Sequence, residues 1–377
     1  MNQAKPEPST PQSAHADRTG FDIGWDHAHH GLVPPANCLH PDNPVMQGWT
    51  AAKAVFGRRV MPSRRSTRQW LLLRLRAWQE GVPFDGQLVT ANYLGQLFSE
   101  RCPVTRCLLG GAAGNADAAV IERINPEAAY AAGNLVMLSA SAAAARRGLT
   151  MQQTVRKARL CELSGEVVDG LDASSWWRLA TLAAFAQALP FAEAARLPLA
   201  LLPPNRVRLL NAVQGLQALV TQIFANAGWS RRCQSLAQWL PEHTLRLDFN
   251  LFVGAMAPRV LEAAADPVAR RTALEDAWLQ ERVQRRWQHL VLSLGEAGVQ
   301  ALLGKLLQSE LPRGRVVQHS LAQATETWGW PPTKGTHAAA PARDRVLKRV
   351  STRVMAPTRP PGRPGTVPAP AAPATHV

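Results

Sequence analysis

The chain contains 377 residues, of which 46% are hydrophobic and 18% are charged, and its formal net charge is +15. This length allows two or three domains with hydrophobic cores, and the apolar content excludes a wholly disordered protein. Five cysteines in so long a chain exclude a scaffold built on disulfides and favour a reducing compartment. Because we find neither a secretory signal pattern nor an uninterrupted apolar span, we expect a cytoplasmic protein that does not bind membranes.

The positive charge is distributed unevenly along the sequence. Residues 1–50 carry a net charge of −3, residues 51–160 carry +10, residues 161–330 carry +1 and residues 331–377 carry +7. Because a partner responds to the local field, the basic block at 51–160 predicts a polyanionic partner, and we expect nucleic acid, with DNA as the first choice. The charge itself does not distinguish DNA from RNA. The alternative that this block is only a solvated surface stays open.

The first 61 residues carry few periodic apolar positions. Residues 1–20 are polar and rich in proline, which predicts a disordered leader. Prolines at positions 34, 35, 41 and 44 predict irregular but ordered structure between residues 21 and 61.

Helical periodicity begins after residue 63. In the segment 64–79, Leu71, Leu75 and Trp78 share one face of a predicted helix, and Arg65, Arg68 and Arg76 lie on another. A second short helix is predicted after Thr90, which is a good N-cap.

The segment between residues 101 and 160 predicts a hairpin followed by a helix. Two short runs, at residues 119–124 and 135–138, have strand character. Ser139 or Ser141 is then expected to cap a helix that extends from Ala142 to about Arg159. This gives strand, loop, strand and helix within the basic block.

The remaining sequence predicts a helical domain at 161–330 and a basic Pro/Ala-rich disordered tail at 331–377. Apolar stripes at helical spacing recur in this domain, for example at Val283, Trp287, Leu290 and Val291. Tryptophans such as Trp176 and Trp278 are expected in the core or at an interface. The fold class is therefore predicted as mainly α, with disordered termini and a basic N-terminal region at 21–160.

Part of the basic block resembles the divergent HNH endonucleases. The motifs that carry this resemblance are Cys-Pro-Val-Thr-Arg from Cys102, Ala-Val-Ile-Glu-Arg-Ile-Asn-Pro from Ala119, and the stretch from Tyr130 through Gly133-Asn134 to Ser139. The resemblance covers about fifty residues, and its order and spacing are more specific than its individual letters. It implies an HNH-like ββα-metal module at 101–160, with one Mg²⁺ or Mn²⁺ ion as cofactor if the site is active.

The resemblance also implies roles for individual residues. Glu122 falls on the acidic metal ligand and Arg123 on the residue after it, and both become candidate catalytic residues. Gly133, Asn134 and Tyr130 fall on structural positions. The helix position that carries a metal-binding Asn in the family is Ala143 here, so another group must complete a metal site: Asp117, Asn125 or the segment Asp26–His30. Asp117 is the ligand that we pair with Glu122.

Two further expectations concern cations and cysteines. Phosphate contacts are expected from eight basic residues. They are Arg65, Arg68, Arg76, Arg146, Arg147, Arg156, Lys157 and Arg159. Cys102 and Cys107 lack zinc-site spacing, so zinc is not expected and the two cysteines are interpreted as buried residues.

Three functions stay open at this point. The first is a DNA-binding protein with an HNH-like, metal-dependent endonuclease module. The second keeps the module without the chemistry, as a nuclease-derived protein that binds DNA without cutting it. The third is a helical scaffold whose protein partners, which the sequence does not identify, dock on residues 172–330.

Overall fold

The computed structural model describes residues 11–112, 114–262, 266–309 and 317–318. Its helices are α1 (Pro11–His29), α2 (Pro44–Phe56), α3 (Arg65–Gln79), α4 (Ala91–Leu97), α5 (Ala140–Arg146), α6 (Met151–Ser164), α7 (Ala173–Phe185), α8 (Phe191–Arg196), α9 (Ala212–Ala225), α10 (Trp229–Gln238), α11 (His243–Glu262), α12 (Pro267–Ala277) and α13 (Glu281–Gln308). Its strands are β1 (Ala119–Arg123), β2 (Leu135–Ser139), β3 (Arg208–Leu209) and β4 (Val317–Gln318). The prediction of a mainly α fold with one small hairpin is confirmed.

The predictions for the N-terminal segment are wrong over the described residues. Residues 11–20 belong to α1, and the segment predicted as irregular contains the C-terminal half of α1 and all of α2. Pro44 occupies the first turn of α2, where a missing N–H costs nothing, and the Asn43 side chain caps that helix by accepting from the Val45 N–H at 2.9 Å. Gly24 and Gly48 allow α1 and α2 to cross closely, because a Cβ on either would meet the other helix's backbone carbonyl at 1.9 Å.

The two helices predicted from the basic block are confirmed. Helix α3 buries Leu71 and Leu75 and leaves Arg65 and Arg68 exposed, and α4 begins after Thr90, whose hydroxyl accepts from the Tyr93 N–H at 3.2 Å. Their apolar faces meet in a cluster with residues of β1 and β2, so α3 packs beside the hairpin.

The hairpin is confirmed, and the single long helix after it is wrong. Strands β1 and β2 are antiparallel, with Glu122 opposite Val136, and the Ser139 hydroxyl caps α5 by accepting from the Ala142 N–H. The helix then stops at Arg146 and restarts as α6, because Gly148 adopts a left-handed conformation (φ 73°) and Thr150 forms a new capping box.

The C-terminal helices enclose one large apolar core. An aromatic group at its centre joins Phe252, Trp278 and Trp287, whose ring centroids lie 5.2–5.5 Å apart. Trp176 is also fully buried. The same cluster includes Cys102 and Val136, so the core is continuous across the predicted boundary at residue 160, which falls inside α6. The predicted tail at 331–377 and residues 1–10 lie outside the described residues.

Within the described ranges, α13 is long and apolar enough to cross a membrane by length and composition alone. Its backbone leaves helical geometry at Gly295 (φ 72°, ψ 167°), and residues on both sides of that break, including Trp287 and Leu303, are buried in the core. Buried residues make up 33% of its most apolar 18-residue stretch.

Candidate nucleic-acid interface

A cleft of about 610 Å³ opens between α3, the outer face of β1 and the end of α5. Its walls carry four arginines and two glutamates. They are Arg76, Arg123, Arg146, Arg147, Glu80 and Glu122. The position that the resemblance assigns to a metal-binding Asn, Ala143, also lines this cleft. The hairpin and α5 thus bring together residues that the sequence analysis selected from three separate segments.

Glu122 projects from β1 toward α3 and is held there by Arg76. The Arg76 Nη1 group donates to Glu122 Oε1 at 3.0 Å and Nη2 donates to Oε2 at 3.5 Å, so both carboxylate oxygens are engaged. The side chain of Glu122 is 22% exposed and that of Arg76 is 38% exposed. The pair therefore lies at the cleft surface, where its Coulomb energy is modest.

Arg146 is a half-buried support beside this pair. Its guanidinium donates to the backbone carbonyls of Arg123, at 2.6 Å, and Ile124, so the end of β1 is tied to the end of α5. Burial lowers the pKa of Arg146 to about 10, and the negative charge of Glu122 partly offsets that effect. Arg146 remains cationic at neutral pH and adds positive potential to the cleft wall.

The second carboxylate, Glu80, ends α3 and is more heavily bonded than Glu122. It accepts from Arg76 Nε at 2.8 Å and from the Tyr130 hydroxyl at 2.7 Å. Burial alone would raise the pKa of Glu80, but these hydrogen bonds and the nearby charge of Arg123 outweigh it and hold the pKa below its ordinary value. Burial, with the bond to Glu80, raises the pKa of Tyr130 to about 12.

Arg123 and Arg147 differ in how free their guanidinium groups are. Arg123 lies over the Tyr130 ring at 4.6 Å and donates to the Ala128 carbonyl at 2.9 Å, so it is largely committed to the fold. Arg147 follows α5, is exposed and forms no ion pair with any other described residue. It is the cation in the cleft that is most accessible to a ligand.

The loop between the strands is built by the residues that the resemblance placed in structural roles. The Asn134 side chain accepts from the Asn125 N–H at 2.8 Å and donates to the carbonyls of Asn125 and Ala129. Gly133 has φ 98°, and an added Cβ would lie 2.5 Å from the Arg208 side chain. This arrangement matches the loop-holding role expected of Asn134.

Several predicted site residues lie elsewhere. Asp117 does not line the cleft and lies in the turn before β1, where its carboxylate packs against Gly111; that it shares a metal with Glu122 stays a prediction. Lys157 pairs with Asp169 and lies over the Trp176 ring, while Arg156 and Arg159 are exposed on α6. These three residues belong to a different element from the cleft.

The histidine-rich segment is also separate from the cleft. It forms the end of α1, where Asp26 pairs with Arg74 and the buried His27 ring bonds the Ile23 carbonyl at 2.8 Å. Arg74 and Arg76 point about 200° apart around α3, so the two sites lie on opposite sides of that helix. Burial lowers the pKa of His27.

The donor set around Glu122 does not fit a divalent metal ion. A Mg²⁺ or Mn²⁺ site needs several oxygen ligands that are free of competing cations. Here both Glu122 oxygens and both Glu80 oxygens already accept hydrogen bonds or ion pairs, mostly from arginines, and the helix position that carries a metal-binding Asn in the family has only a methyl group, at Ala143. In the part of the chain that the structure describes, no three His, Cys, Asp or Glu side chains are grouped for a metal.

The cysteine pair sits in a tight turn beneath the hairpin. Cys102 is buried and its sulfur accepts from the Ser139 N–H at 3.2 Å, whereas Cys107 is half-buried and accepts from the Thr105 hydroxyl. Arg106, between them, has φ 60°. The turn thus packs the sulfur atoms into the fold and directs Arg106 toward α12.

The partners of Arg106 were not predicted from the sequence. Its guanidinium donates to both carboxylate oxygens of Asp276 at 2.8 and 2.9 Å, and the buried Arg178 donates to the same residue at 3.2 Å. The neighbouring Glu275, 5% exposed, pairs with Arg271. No local pattern marks these contacts, because the partners are separated by about a hundred residues or more.

Comparison with known proteins finds no matching family model, no similar curated protein and no similar solved structure. The HNH resemblance therefore stays a prediction that depends on the motif residues and on their order along the chain.

Proposed function

We propose that this protein binds nucleic acid, and that the cleft between α3, β1 and α5 receives a backbone phosphate. The observation that carries the proposal is the excess of guanidinium groups in one solvent-open cleft, four against two carboxylates. Arginine is well suited to phosphate because its planar donors match the phosphate oxygens. Arg147 is free to make such a contact, and the two Nη groups of Arg76 become free when they release Glu122, while its Nε stays bonded to Glu80.

Glu122 has a specific role in this proposal. Its carboxylate occupies the position beside Arg76 that a phosphate oxygen would take, so an incoming phosphate competes with an internal anion. Glu80, by contrast, is fixed by Tyr130 as well as by Arg76 and stays in place. The proposal follows the second alternative of the sequence analysis, a nuclease-derived fold that binds DNA without cutting it.

The proposal does not include metal-dependent cleavage, because the donor set at Glu122 does not fit a divalent ion. The endonuclease alternative makes a different prediction in a nicking assay on supercoiled plasmid with Mg²⁺ or Mn²⁺. We expect no nicking by the native protein beyond that of a Glu122→Ala variant. Metal-dependent nicking that Glu122→Ala abolishes would reinstate the enzyme.

The test of binding compares two exposed arginines. Arg147→Gln removes a cation from the cleft, and Arg285→Gln removes one from α13, where the arginine pairs with Glu281 on the surface. Fluorescence anisotropy with labelled DNA over a range of salt concentrations gives the slope of log affinity against log salt. Loss of one phosphate contact lowers that slope by about 1 for Arg147→Gln, and Arg285→Gln should leave it unchanged.

Equal effects of the two substitutions would contradict the proposal, because they would indicate a general response to net charge. Absence of any salt-dependent binding by the native protein would contradict it outright.

A further inference from the structure

A second groove lies at the other end of α3. It has a volume of about 510 Å³ and separates the start of α3 from the end of α4. Its lining residues are Arg64, Arg65, Ser66, Gly95, Phe98, Ser99, Glu100 and Leu109. This groove is therefore walled by cations on α3 and by an aromatic ring after α4.

The central contact in this groove is a cation–π pair. The Arg65 guanidinium lies 4.8 Å from the centroid of the Phe98 ring, and Arg65 itself is exposed. A guanidinium placed over an aromatic ring presents a second flat surface to the solvent, and nucleobases stack on such surfaces.

Electrostatics favour an anionic ligand here as well. Arg64, Arg65 and Arg68 are all exposed, and none of them forms an ion pair with another residue that the structure describes. The Arg68 guanidinium donates to the Ser63 hydroxyl at 3.2 Å. Glu100 is the one carboxylate among the lining residues, against two lining arginines, Arg64 and Arg65.

The two grooves share one face of α3. Residues eleven apart on an α-helix differ in direction by about 20°, so Arg65 and Arg76 point the same way and are separated by roughly 16 Å along the axis. Leu72, between them, is 52% exposed, which leaves the ridge uncovered. A strand that contacts Arg65 can therefore reach the cleft around Arg76 by running along the helix.

From this alignment we infer that the ligand is single-stranded nucleic acid, which runs along α3 with a base stacked on the Arg65–Phe98 pair and a phosphate in the Arg76–Arg147 cleft. The inference rests on the proposed function and adds the class of ligand. Bases in a duplex are already stacked and paired, so only an unpaired base can enter the groove at Phe98.

The experiment uses the full chain and fluorescence anisotropy with two probes, an oligothymidylate of about twelve nucleotides and a duplex of matched length, since single-strand sites span roughly 4–16 nucleotides. Phe98→Leu removes the stacking ring, and Phe191→Leu makes the same change at another partly buried phenylalanine, at the start of α8. We expect Phe98→Leu to weaken single-strand binding about tenfold and Phe191→Leu to leave it unchanged.

Inorganic polyphosphate serves as a probe for charge alone, because it has no bases. Polyphosphate binding should be unaffected by Phe98→Leu and weakened by Arg65→Gln. Because Arg65 is exposed, its substitution does not disturb the core. If Phe98→Leu reduced the binding of both probes, the substitution would have disturbed the fold, and the affinities of the native protein would decide: tighter binding of oligothymidylate than of the duplex supports the inference, and equal binding overturns it.

Two outcomes separate the inference from the proposed function. Duplex binding as tight as single-strand binding, with no effect of Phe98→Leu, overturns the inference and leaves the phosphate cleft intact. Failure of the native protein to bind either nucleic acid overturns both.

Discussion

The protein contains two clusters of arginines and carboxylates that differ in what surrounds them. In the cluster around Glu275 and Asp276, the arginines also donate to backbone carbonyls; they are Arg106, Arg178 and Arg271. These bonds, for example from Arg178 to the Val104 carbonyl at 2.9 Å, join α7 and α12 to the turn at Arg106. In the cleft around Glu122, Arg147 faces solvent with no ion pair among the described residues. A cluster of charges is therefore a candidate binding site only where a cation is left accessible.

The two clusters also respond differently to removal of an arginine. A buried arginine that satisfies a carboxylate and a carbonyl leaves both without a partner when it is removed. An exposed arginine at the rim of a cleft has little effect on folding and acts on ligand affinity instead. This difference can be measured.

The largest expected effect is on stability, at Arg178. The substitution Arg178→Ala should lower the free energy of unfolding by about 3 kcal/mol, because Arg178 is buried and bonded to Asp276 and to the Val104 carbonyl. Arg147→Ala should change it by less than about 0.5 kcal/mol. Urea denaturation followed by tryptophan fluorescence measures both, and equal effects would remove the distinction between the two clusters.

A smaller effect is expected from acid. Burial alone would raise the pKa of Asp276, but the hydrogen bonds and charges of Arg106 and Arg178 outweigh it and hold the pKa below its ordinary value. The stabilisation is therefore complete above the unfolded-state pKa of about 4 and is lost as the pH falls through the folded-state pKa. Asp276→Asn should cost about 1–2 kcal/mol at pH 7 and progressively less below pH 4.

Unfolding free energies of the native protein and of Asp276→Asn, measured between about pH 7 and pH 3, provide the check. His27, whose pKa is lowered by burial, destabilises both proteins equally as the pH falls below its ordinary value, so the difference between the two curves isolates Asp276. A constant difference at all pH values would contradict the account.

The sequence predicted the elements whose stability is local, and it missed those whose stability depends on distant partners. Helix α3 and the hairpin follow from apolar spacing and from strand-forming runs. Helix α1 was missed because its stability comes from the close crossing at Gly24 and Gly48, which no pattern within α1 reveals. The break at Gly148 was missed although the glycine and the capping Thr150 were visible in the sequence.

The sequence predicted which residues form the candidate site better than it predicted the contacts among them. Glu122, Arg76 and Arg146 were selected from separate segments, and the fold brings all three to one cleft. The hydrogen bonds among them were not predictable from the sequence. They depend on the fold, which directs the Arg146 guanidinium to backbone carbonyls at the end of β1 and so away from Glu122. Asp117 was proposed to replace the ligand missing at Ala143, and the structure places its carboxylate beside Gly111 in the turn before β1.

The most direct test of the account is the affinity of a Glu122→Gln variant for nucleic acid. If Glu122 is an internal anion that phosphate displaces, its neutral replacement removes the negative charge that competes for the Nη groups of Arg76 and should tighten binding about threefold, which corresponds to less than about 1 kcal/mol. Glu262→Gln, which frees the exposed Arg259 on α11, is the matched control and should have no effect. Weaker binding by Glu122→Gln, or tightening of the same size by Glu262→Gln, would contradict the account.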